Sequence, residues 1–195
     1  QEVIIGSNVT SIGSQVFRDC TALQSVTIGN SVTSISNGAF RSCSALQSVT
    51  IPDSVTSMDI IAFYGCTALQ SVTLSNNLTS IGTQVFAHCA ALQSLTIPDS
   101  ITSLGQQAFH DCSALTTLTI GNSVVDIGTL TFYQCNALQS VTIPDSVTTI
   151  ASNAFQETGL VSVYMSETAR NNLGLTFATN QSFFGINGVN IIQIV

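Results

Sequence analysis

The sequence contains no lysine and carries little charge of either sign. Only 7% of its 195 residues are charged, and three arginines stand against ten acidic residues, which gives a net charge of −7. Phosphate binding requires clustered lysine and arginine, so this composition excludes a nucleic-acid-binding role. A hydrophobic content of 45% excludes a disordered chain, and the length is sufficient for one domain with a sizeable core.

Long hydrophobic runs are also missing. No apolar run reaches the ~18 residues that a transmembrane helix requires, so we expect no membrane span. With so few charges, solubility has to come from Ser, Thr, Asn and Gln, a composition typical of extracellular and appendage proteins. We therefore expect an extracellular or cell-surface location.

The sequence lacks the motifs that carry enzymatic chemistry. It has no GxSxG, HExxH, P-loop or dinucleotide fingerprint, and the CxxC spacing of zinc sites is absent. His88 and His110 are expected to be exposed loop residues, with a metal or catalytic pair as the alternative. Asp53, Asp99 and Asp145 recur every 46 residues, about 10 Å apart in a stacked fold, which is too far for one calcium ion and predicts turn residues. We expect no enzymatic activity, no metal and no cofactor.

A 23-residue period runs through most of the chain. Each repeat places a cysteine three residues after a phenylalanine, and no insertion breaks the register. The phenylalanines are Phe17, Phe40, Phe63, Phe86, Phe109, Phe132 and Phe155, and the cysteines are Cys20, Cys43, Cys66, Cys89, Cys112 and Cys135. A strict period of this length predicts a solenoid, in which each coil buries its apolar side against its neighbours.

The structure of one coil can be predicted from residues 46–66, which read LQSVTIPDSVTSMDIIAFYGC. Val49 and Ile51 alternate with polar residues as in a β-strand, and Pro52-Asp53-Ser54 predicts a turn. The AFxxC segment is expected to form a single helical turn, because Phe and Cys three residues apart share one helix face. The expected fold class is a leucine-rich-repeat-like solenoid of short parallel β-strands with one helical turn per coil.

The pattern LxxVxIPxSVTxIGxxAFxxC resembles the BspA-type leucine-rich repeat, which occurs in surface proteins of bacteria and trichomonads. The resemblance covers about residues 1–165. It implies a curved right-handed solenoid and a role in attachment or recognition, and it transfers no binding residue to this chain.

The cysteine column has three interpretations. Equivalent Cα atoms in neighbouring coils are roughly 5 Å apart, within disulfide range, but side chains stacked in parallel do not offer the required dihedral. Free cysteine is among the most buried residue types, so buried thiols are expected. A disulfide such as Cys20 to Cys43 and a metal site are the alternatives.

The repeat stops near residue 165. We expect a solenoid of about seven coils over 1–165 and a C-terminal cap over 166–195. Ser166 is a candidate helix N-cap, and Asn187-Gly188 fits the type I′ turn of a β-hairpin. At the other end an uncovered first coil leaves an open strand edge, so we expect either that the chain was cut from a longer array or that this end self-associates or contacts another molecule.

Ranks of small polar side chains follow the first strand of successive coils. They predict a non-enzymatic recognition or adhesion module that binds a protein or glycan through a rigid polar face. A solvated face without a ligand, an ice-binding face, and a structural building block of a surface layer, sheath or filament are the alternatives. The Gln rank comprises Gln24, Gln47, Gln70, Gln93 and Gln139, and the Thr rank comprises Thr27, Thr50, Thr73, Thr96, Thr119 and Thr142.

Three sequons, at Asn8, Asn77 and Asn180, are candidate glycosylation sites if the protein is secreted from a host that glycosylates.

Overall fold

Each coil of the computed structural model, which describes residues 1–176 and 181–194, contains two short β-strands. The first strands of the coils are β1 (Glu2–Ile5), β3 (Ser25–Ile28), β5 (Ser48–Thr50), β7 (Ser71–Thr73), β9 (Ser94–Thr96), β11 (Thr117–Thr119), β13 (Ser140–Ile143) and β15 (Ser162–Met165). The second strands are β2 (Ser11–Ile12), β4 (Ser34–Ile35), β6 (Ser57–Met58), β8 (Ser80–Ile81), β10 (Ser103–Leu104), β12 (Asp126–Ile127) and β14 (Thr149–Ile150). The chain continues with α1 (Glu167–Asn172), β16 (Gln181–Phe183) and β17 (Ile186–Gln193).

Equivalent strands of successive coils pair in parallel. The first strands from β1 to β11 form one sheet. The last two first strands, β13 and β15, form a second sheet with β17 and β16, in the order β13-β15-β17-β16. The second strands form sheets from β2 to β6 and from β8 to β14. Val49 lies opposite Val72, one period later, so the register of the sheet follows the period of the sequence. The expected parallel-strand solenoid of about seven coils is confirmed.

The core is a continuous stack of phenylalanine rings. Neighbouring rings from Phe17 to Phe155 are 5.0 to 5.6 Å apart between centroids and nearly parallel. Phe40 and each later member of the column are buried, whereas Phe17, at the N-terminal end of the stack, is partly exposed. Each ring therefore packs against the ring of the next coil, as the 23-residue spacing predicts.

The AFxxC segment does not form the expected helical turn. Gly38 and Ser42, on either side of Phe40, both have a left-handed φ of 60°. The Phe40 N–H donates to the carbonyl of Ala62 in the next coil at 2.8 Å, and the Cys43 N–H donates to the Phe40 carbonyl three residues back. The segment is a pair of tight turns hydrogen-bonded to the next coil, because left-handed residues interrupt the i to i−4 bonding of an α-helix.

In three coils an aspartate side chain in the turn after the first strand is hydrogen-bonded to the next coil. Asp53 Oδ1 accepts the N–H of Asn76 at 2.8 Å, and Asp99 Oδ1 accepts the N–H of Asn122 at 2.7 Å. Asp145 accepts the hydroxyl of Ser166 in the same way. The aspartates are turn residues, as expected, and they also connect one coil to the next.

The cysteine column is buried except at its first member. All six cysteines are free thiols, and Cys20 is exposed, so the expectation of a uniformly buried column is wrong at this position. The other five donate their S–H groups to phenylalanine carbonyls of the preceding coil at 3.1 to 3.4 Å. Burial raises the pKa of Cys43 to about 11 and the pKa of Cys89 to about 12.

The segment after β15 contains the expected short helix. Ser166 is its N-cap, and its hydroxyl oxygen accepts the N–H of Ala169 at 3.2 Å. Glu167 lies in the first turn, where a negative charge interacts favourably with the helix dipole. Among the described residues no helix has the length and hydropathy needed to cross a membrane.

The hairpin is present, but its turn is not where the sequence predicted it. Phe183 pairs with Ile186, so the turn lies at Phe184-Gly185, whereas Asn187-Gly188 lies inside β17. β17 also pairs in parallel with β15, through its residues 190–193. Phe183 is buried and its ring lies 5.4 Å from that of Phe155, so the hairpin extends the core stack. The division between a solenoid over 1–165 and a cap over 166–195 stays a prediction.

Candidate functional site

The first strands present one polar face. Strand alternation exposes Ser48 and Thr50 and buries Val49 between them, and the same pattern recurs in β9 and β11. Every member of the Gln rank and of the Thr rank is exposed. We call this surface the strand face.

The Thr rank differs from the other threonines in how its hydroxyls are used. On the segment before the second strand, the hydroxyls of Thr33 and Thr102 donate to carbonyls of the preceding coil at 3.1 Å. No hydroxyl of the Thr rank is hydrogen-bonded to another protein group, and all six members lie within residues 1–176. These hydroxyls are therefore free to bond to water or to a ligand.

The Gln rank is similarly free, except at its first member. Gln24 accepts a bond from the terminal amino group of Gln1 at 3.4 Å. The other four side-chain amides, all in the described part of the chain, have no protein partner. Thr116 occupies the rank position between Gln93 and Gln139, and its hydroxyl donates to the Gln93 carbonyl at 3.1 Å. The rank is thus interrupted once, at a residue that hydrogen-bonds within the fold.

A row of shallow grooves lies along the Thr rank, between the first strands and the turns that follow them. One groove of about 520 Å³ is lined by Thr50, Thr73 and Pro52. Grooves of about 400 and 430 Å³ continue the row to Thr27 on one side and to Thr96 on the other. An elongated ligand could therefore lie across several coils.

The strand face is almost neutral. None of the three arginines lies in the Gln or Thr rank. The acidic residues at the rim of the grooves are Asp53 and Asp99, whose carboxylates are already hydrogen-bonded to the next coil. A ligand on such a surface would be selected by hydrogen bonds and shape and not by charge.

The two histidines are not isolated exposed loop residues. The rings of His88 and His110 are 4.8 Å apart, and both side chains are half-buried. His88 Nδ1 lies 3.1 Å from Asp111 Oδ2. Burial lowers the pKa of His110, and the neighbouring His88 adds to this effect. No group of three or more metal-ligating side chains occurs in the described residues, so the geometry offers no metal site there.

The histidines belong to a strip of side chains that sequence analysis missed. We call it the turn-side strip, and its members lie at the two positions after Phe in the coils from Phe40 to Phe155; Arg18 and Asp19 hold the same positions after Phe17, pair with each other, and are not counted. Ring contacts of 4.8 to 5.3 Å connect its members from the guanidinium of Arg41 to the ring of Tyr133. Its members are Arg41, Tyr64, His88, His110, Asp111, Tyr133 and Glu157. Their spacing of 22 to 24 residues, within one residue of the 23-residue period, was the available signal.

The sequons differ in their surroundings. Asn8 is exposed in a loop. Asn77 is also exposed, but its side-chain amide donates to the Asp53 carbonyl at 2.7 Å, so a glycan there would disrupt a coil-to-coil contact. Asn180 lies outside the described residues.

The N-terminal end of the solenoid is apolar. Ile4, Val9 and Val16 are exposed large hydrophobic residues, and a hollow of about 260 Å³ lies between them and Phe17. β1 has a hydrogen-bonded neighbour on one side only, namely β3. This end therefore offers a strand edge and apolar surface to another coil or another molecule.

Comparison with known protein families supports the same architecture. A family model described as BspA type leucine rich repeat region matches in six copies, over residues 1–116 and 61–184. No curated protein sequence matches the chain.

Three solved structures from bacteria resemble it. A leucine-rich repeat protein from Eubacterium ventriosum superposes with a TM-score of 0.78 at 26% identity, over 82% of this chain and 43% of that one. A leucine rich cell surface protein from Faecalibacterium prausnitzii gives 0.54 at 26% identity, over 98% and 59%. The leucine rich repeat protein of T. pallidum gives 0.57 at 30% identity, over 72% and 60%. The chain thus spans about half the length of these proteins.

Proposed function

Because this chain belongs to the BspA-type leucine-rich repeat family, we propose that it is a non-enzymatic recognition and adhesion module that binds a protein or glycan at a cell surface or outside the cell. The Faecalibacterium prausnitzii relative is described as a cell surface protein, which supports the location. The low charge and the polar surface composition support it independently.

The unengaged side chains of the strand face are the observation that carries the proposal. Thr50 and its equivalents hold hydroxyls at the strand spacing of about 4.8 Å, and no protein group uses them. Threonine is stiff at χ1, so its hydroxyl loses little freedom when a ligand binds. Each hydrogen bond contributes only about 0.5–1.5 kcal/mol net, so useful affinity has to come from several coils acting together.

The proposal implies a ligand that is neutral where it contacts the face. Binding between unlike charges weakens as salt screens them, whereas hydrogen bonding between neutral groups does not depend on long-range charge. We expect the affinity for the ligand to change little with ionic strength. A weak salt dependence would distinguish binding at the strand face from binding at the turn-side strip, because the strip carries the charged residues Arg41 and Glu157.

Glycan and protein arrays test the proposal when they are probed with matched variants. The face variant carries Thr50→Val, Thr73→Val and Thr96→Val, which remove hydroxyls and keep the side-chain shape. The control variant carries Thr10→Val, Thr79→Val and Thr148→Val next to the second strands, at hydroxyls that also lack a protein partner.

We expect micromolar or tighter binding by the wild type and by the control, and at least tenfold weaker binding by the face variant. Equal binding by all three proteins would remove the strand face from the proposal. Absence of any ligand on the arrays would favour a structural role.

A structural building block of a surface layer, sheath or filament is the second candidate, and the nearly neutral, polar repeat surface suits such assembly. If Ile4, Val9 and Val16 contact another copy, light scattering should show association that a designed polar coil placed before Gln1 abolishes. Electron microscopy of native material distinguishes the two candidates, because a building block forms ordered polymers and a recognition module forms discrete particles. A chain that stays monomeric at high concentration without the added coil would exclude assembly through this end.

A further inference from the structure

The order of residue types along the turn-side strip is symmetric about its centre, if the arginine at one end is counted as the counterpart of the glutamate at the other. Coils are numbered here by their phenylalanine, from Phe17 in coil one to Phe155 in coil seven. Coil two carries an arginine and coil seven a glutamate, coils three and six each carry a tyrosine, and coils four and five each carry a histidine. In chain order the residues are Arg41, Tyr64, His88, His110 with Asp111, Tyr133 and Glu157.

The two ends of the strip carry opposite charges without an ionic partner. The guanidinium of Arg41 lies 5.3 Å from the centre of the Tyr64 ring, and no described carboxylate lies within ion-pair distance of it. By contrast, Arg18 is paired with Asp19 at 3.2 Å. Glu157 is exposed and accepts hydrogen bonds only from neutral donors, among them the Tyr133 hydroxyl at 2.7 Å. Each end can therefore still form an ion pair.

The strip is also preorganised. The ring of Tyr64 contacts His88 edge-on at 5.0 Å, His88 contacts His110 at 4.8 Å, and His110 stacks on Tyr133 at 5.1 Å. These half-buried rings hold one another in place, so little side-chain entropy remains to be lost when a partner covers them. Both histidines and two of the three tyrosines of the chain lie here. Tyrosine and arginine are the residue types enriched at binding hot spots.

A two-fold axis between coils four and five makes this strip complementary to itself. With coils about 4.8 Å apart, coils two and seven are separated by about 24 Å. Rotation about that axis places Arg41 opposite Glu157 of a second copy, Tyr64 opposite Tyr133, and His88 opposite Asp111. Each contact then occurs twice, as an isologous interface requires.

We propose that two copies of this chain associate antiparallel, side by side, through their turn-side strips. The occupant is a second copy because the order of charges along the strip matches its own reverse. The strip is only one or two residues wide in each coil, so we expect an interface smaller than the roughly 800 Å² per partner of a stable complex and a weak, reversible dimer. It leaves the first strands of both copies uncovered, and two strand faces on one particle bind a multivalent surface more tightly than one.

Sedimentation velocity from micromolar to millimolar concentration tests the interface. Ordinary ionic strength is suitable, because a Debye length of about 8 Å screens the repulsion between two chains of net charge −7 more than it screens ion pairs in contact. The variants are Arg41→Glu, Glu157→Arg and the double variant carrying both. Arg18→Glu is the control, since the rotation places coil one beyond coil seven, where no strip residue stands opposite.

We expect the wild type and the control to dimerise. Each single charge-reversal variant places like charges opposite each other at both symmetry-related contacts and should weaken the dimer at least tenfold. The double variant restores opposite charges at both contacts and should restore the dimer. Thermal unfolding of each variant verifies that the fold is intact. A wild type that stays monomeric, single reversals without effect, or a double variant that stays monomeric would each overturn the proposal. Because none of these substitutions touches the Gln or Thr ranks, failure here leaves the proposed ligand binding open to its own test.

Discussion

Single residues in this fold act through the coils above and below them. Phe86 is completely buried, and its ring lies 5.4 Å from that of Phe63 and 5.6 Å from that of Phe109. A substitution in a central coil therefore affects three coils, whereas one in the first coil affects a single neighbour.

Replacing Phe86 with alanine is expected to lower the free energy of unfolding by about 3–5 kcal/mol, because the neighbouring rings would then face a cavity. Phe17→Ala is the matched control. It should cost clearly less, since that ring is partly exposed and stacks on one neighbour. Denaturant unfolding followed by circular dichroism measures both. Equal losses at the two positions would contradict the structural assignment of the core.

The thiols should differ sharply in reactivity. Burial raises the pKa of Cys43, Cys89 and Cys135 to about 11 or 12, so these thiols stay protonated and unreactive at neutral and mildly alkaline pH. Titration with Ellman's reagent at pH 8 should detect one thiol in the native protein, Cys20, and all six after denaturation. A Cys20→Ser variant should show none before unfolding. Rapid reaction of two or more thiols in the native wild type would contradict the burial of the column.

At the scale of one element, the strands could be predicted from the sequence and the AFxxC turn could not. Alternation of apolar and polar residues determines which side of a strand faces the core, so Val49 was assigned correctly. The turn depends on left-handed backbone at two positions per coil, and most residues there are not glycine. Gln84 and His88 have φ values of 56° and 60°. Gly38 and Gly65, one at each position, were the residues whose type indicated a positive φ most clearly.

The hairpin turn was misplaced for a related reason. Local sequence favours Asn187-Gly188, because Asn-Gly is the preferred type I′ pair, yet Gly185 and Gly188 both have positive φ and the turn lies at Phe184-Gly185. In the observed register Phe183 pairs with Ile186, and its ring packs against Phe155, a residue far away in the chain. Tertiary contacts of this kind are not encoded in turn propensity.

The hydrogen bond between the Asp99 carboxylate and the Asn122 N–H should contribute measurably to stability. Asp99→Ala removes the acceptor for the Asn122 N–H and should lower the free energy of unfolding by about 1 kcal/mol. Asn122→Ala keeps the backbone donor and should cost less. Thermal unfolding of the two variants compares their losses of stability. A larger loss for Asn122→Ala would show that the Asp99 carboxylate does not supply the stabilising contact between the two coils.

At the scale of the whole molecule, the solenoid produces two kinds of surface from one period. The strand face repeats one side chain per position, so its ranks could be read directly from the sequence. The turn-side strip varies in residue type from coil to coil, and only the ring contacts between His88, His110 and their neighbours show it to be continuous. Uniform ranks suit a ligand that lies across several coils, whereas a graded strip suits a partner with one defined orientation.

Hydrogen exchange with and without an array-identified ligand tests the proposed recognition role of the strand face most directly, because it locates the contact without mutation. We expect slower exchange in the first strands and the turns after them, across at least three consecutive coils. The segments concerned are 24–30, 47–53, 70–76 and 93–99. Slower exchange confined to 87–91 and 110–114, on the turn-side strip, or to 1–17 at the apolar end, would contradict the account.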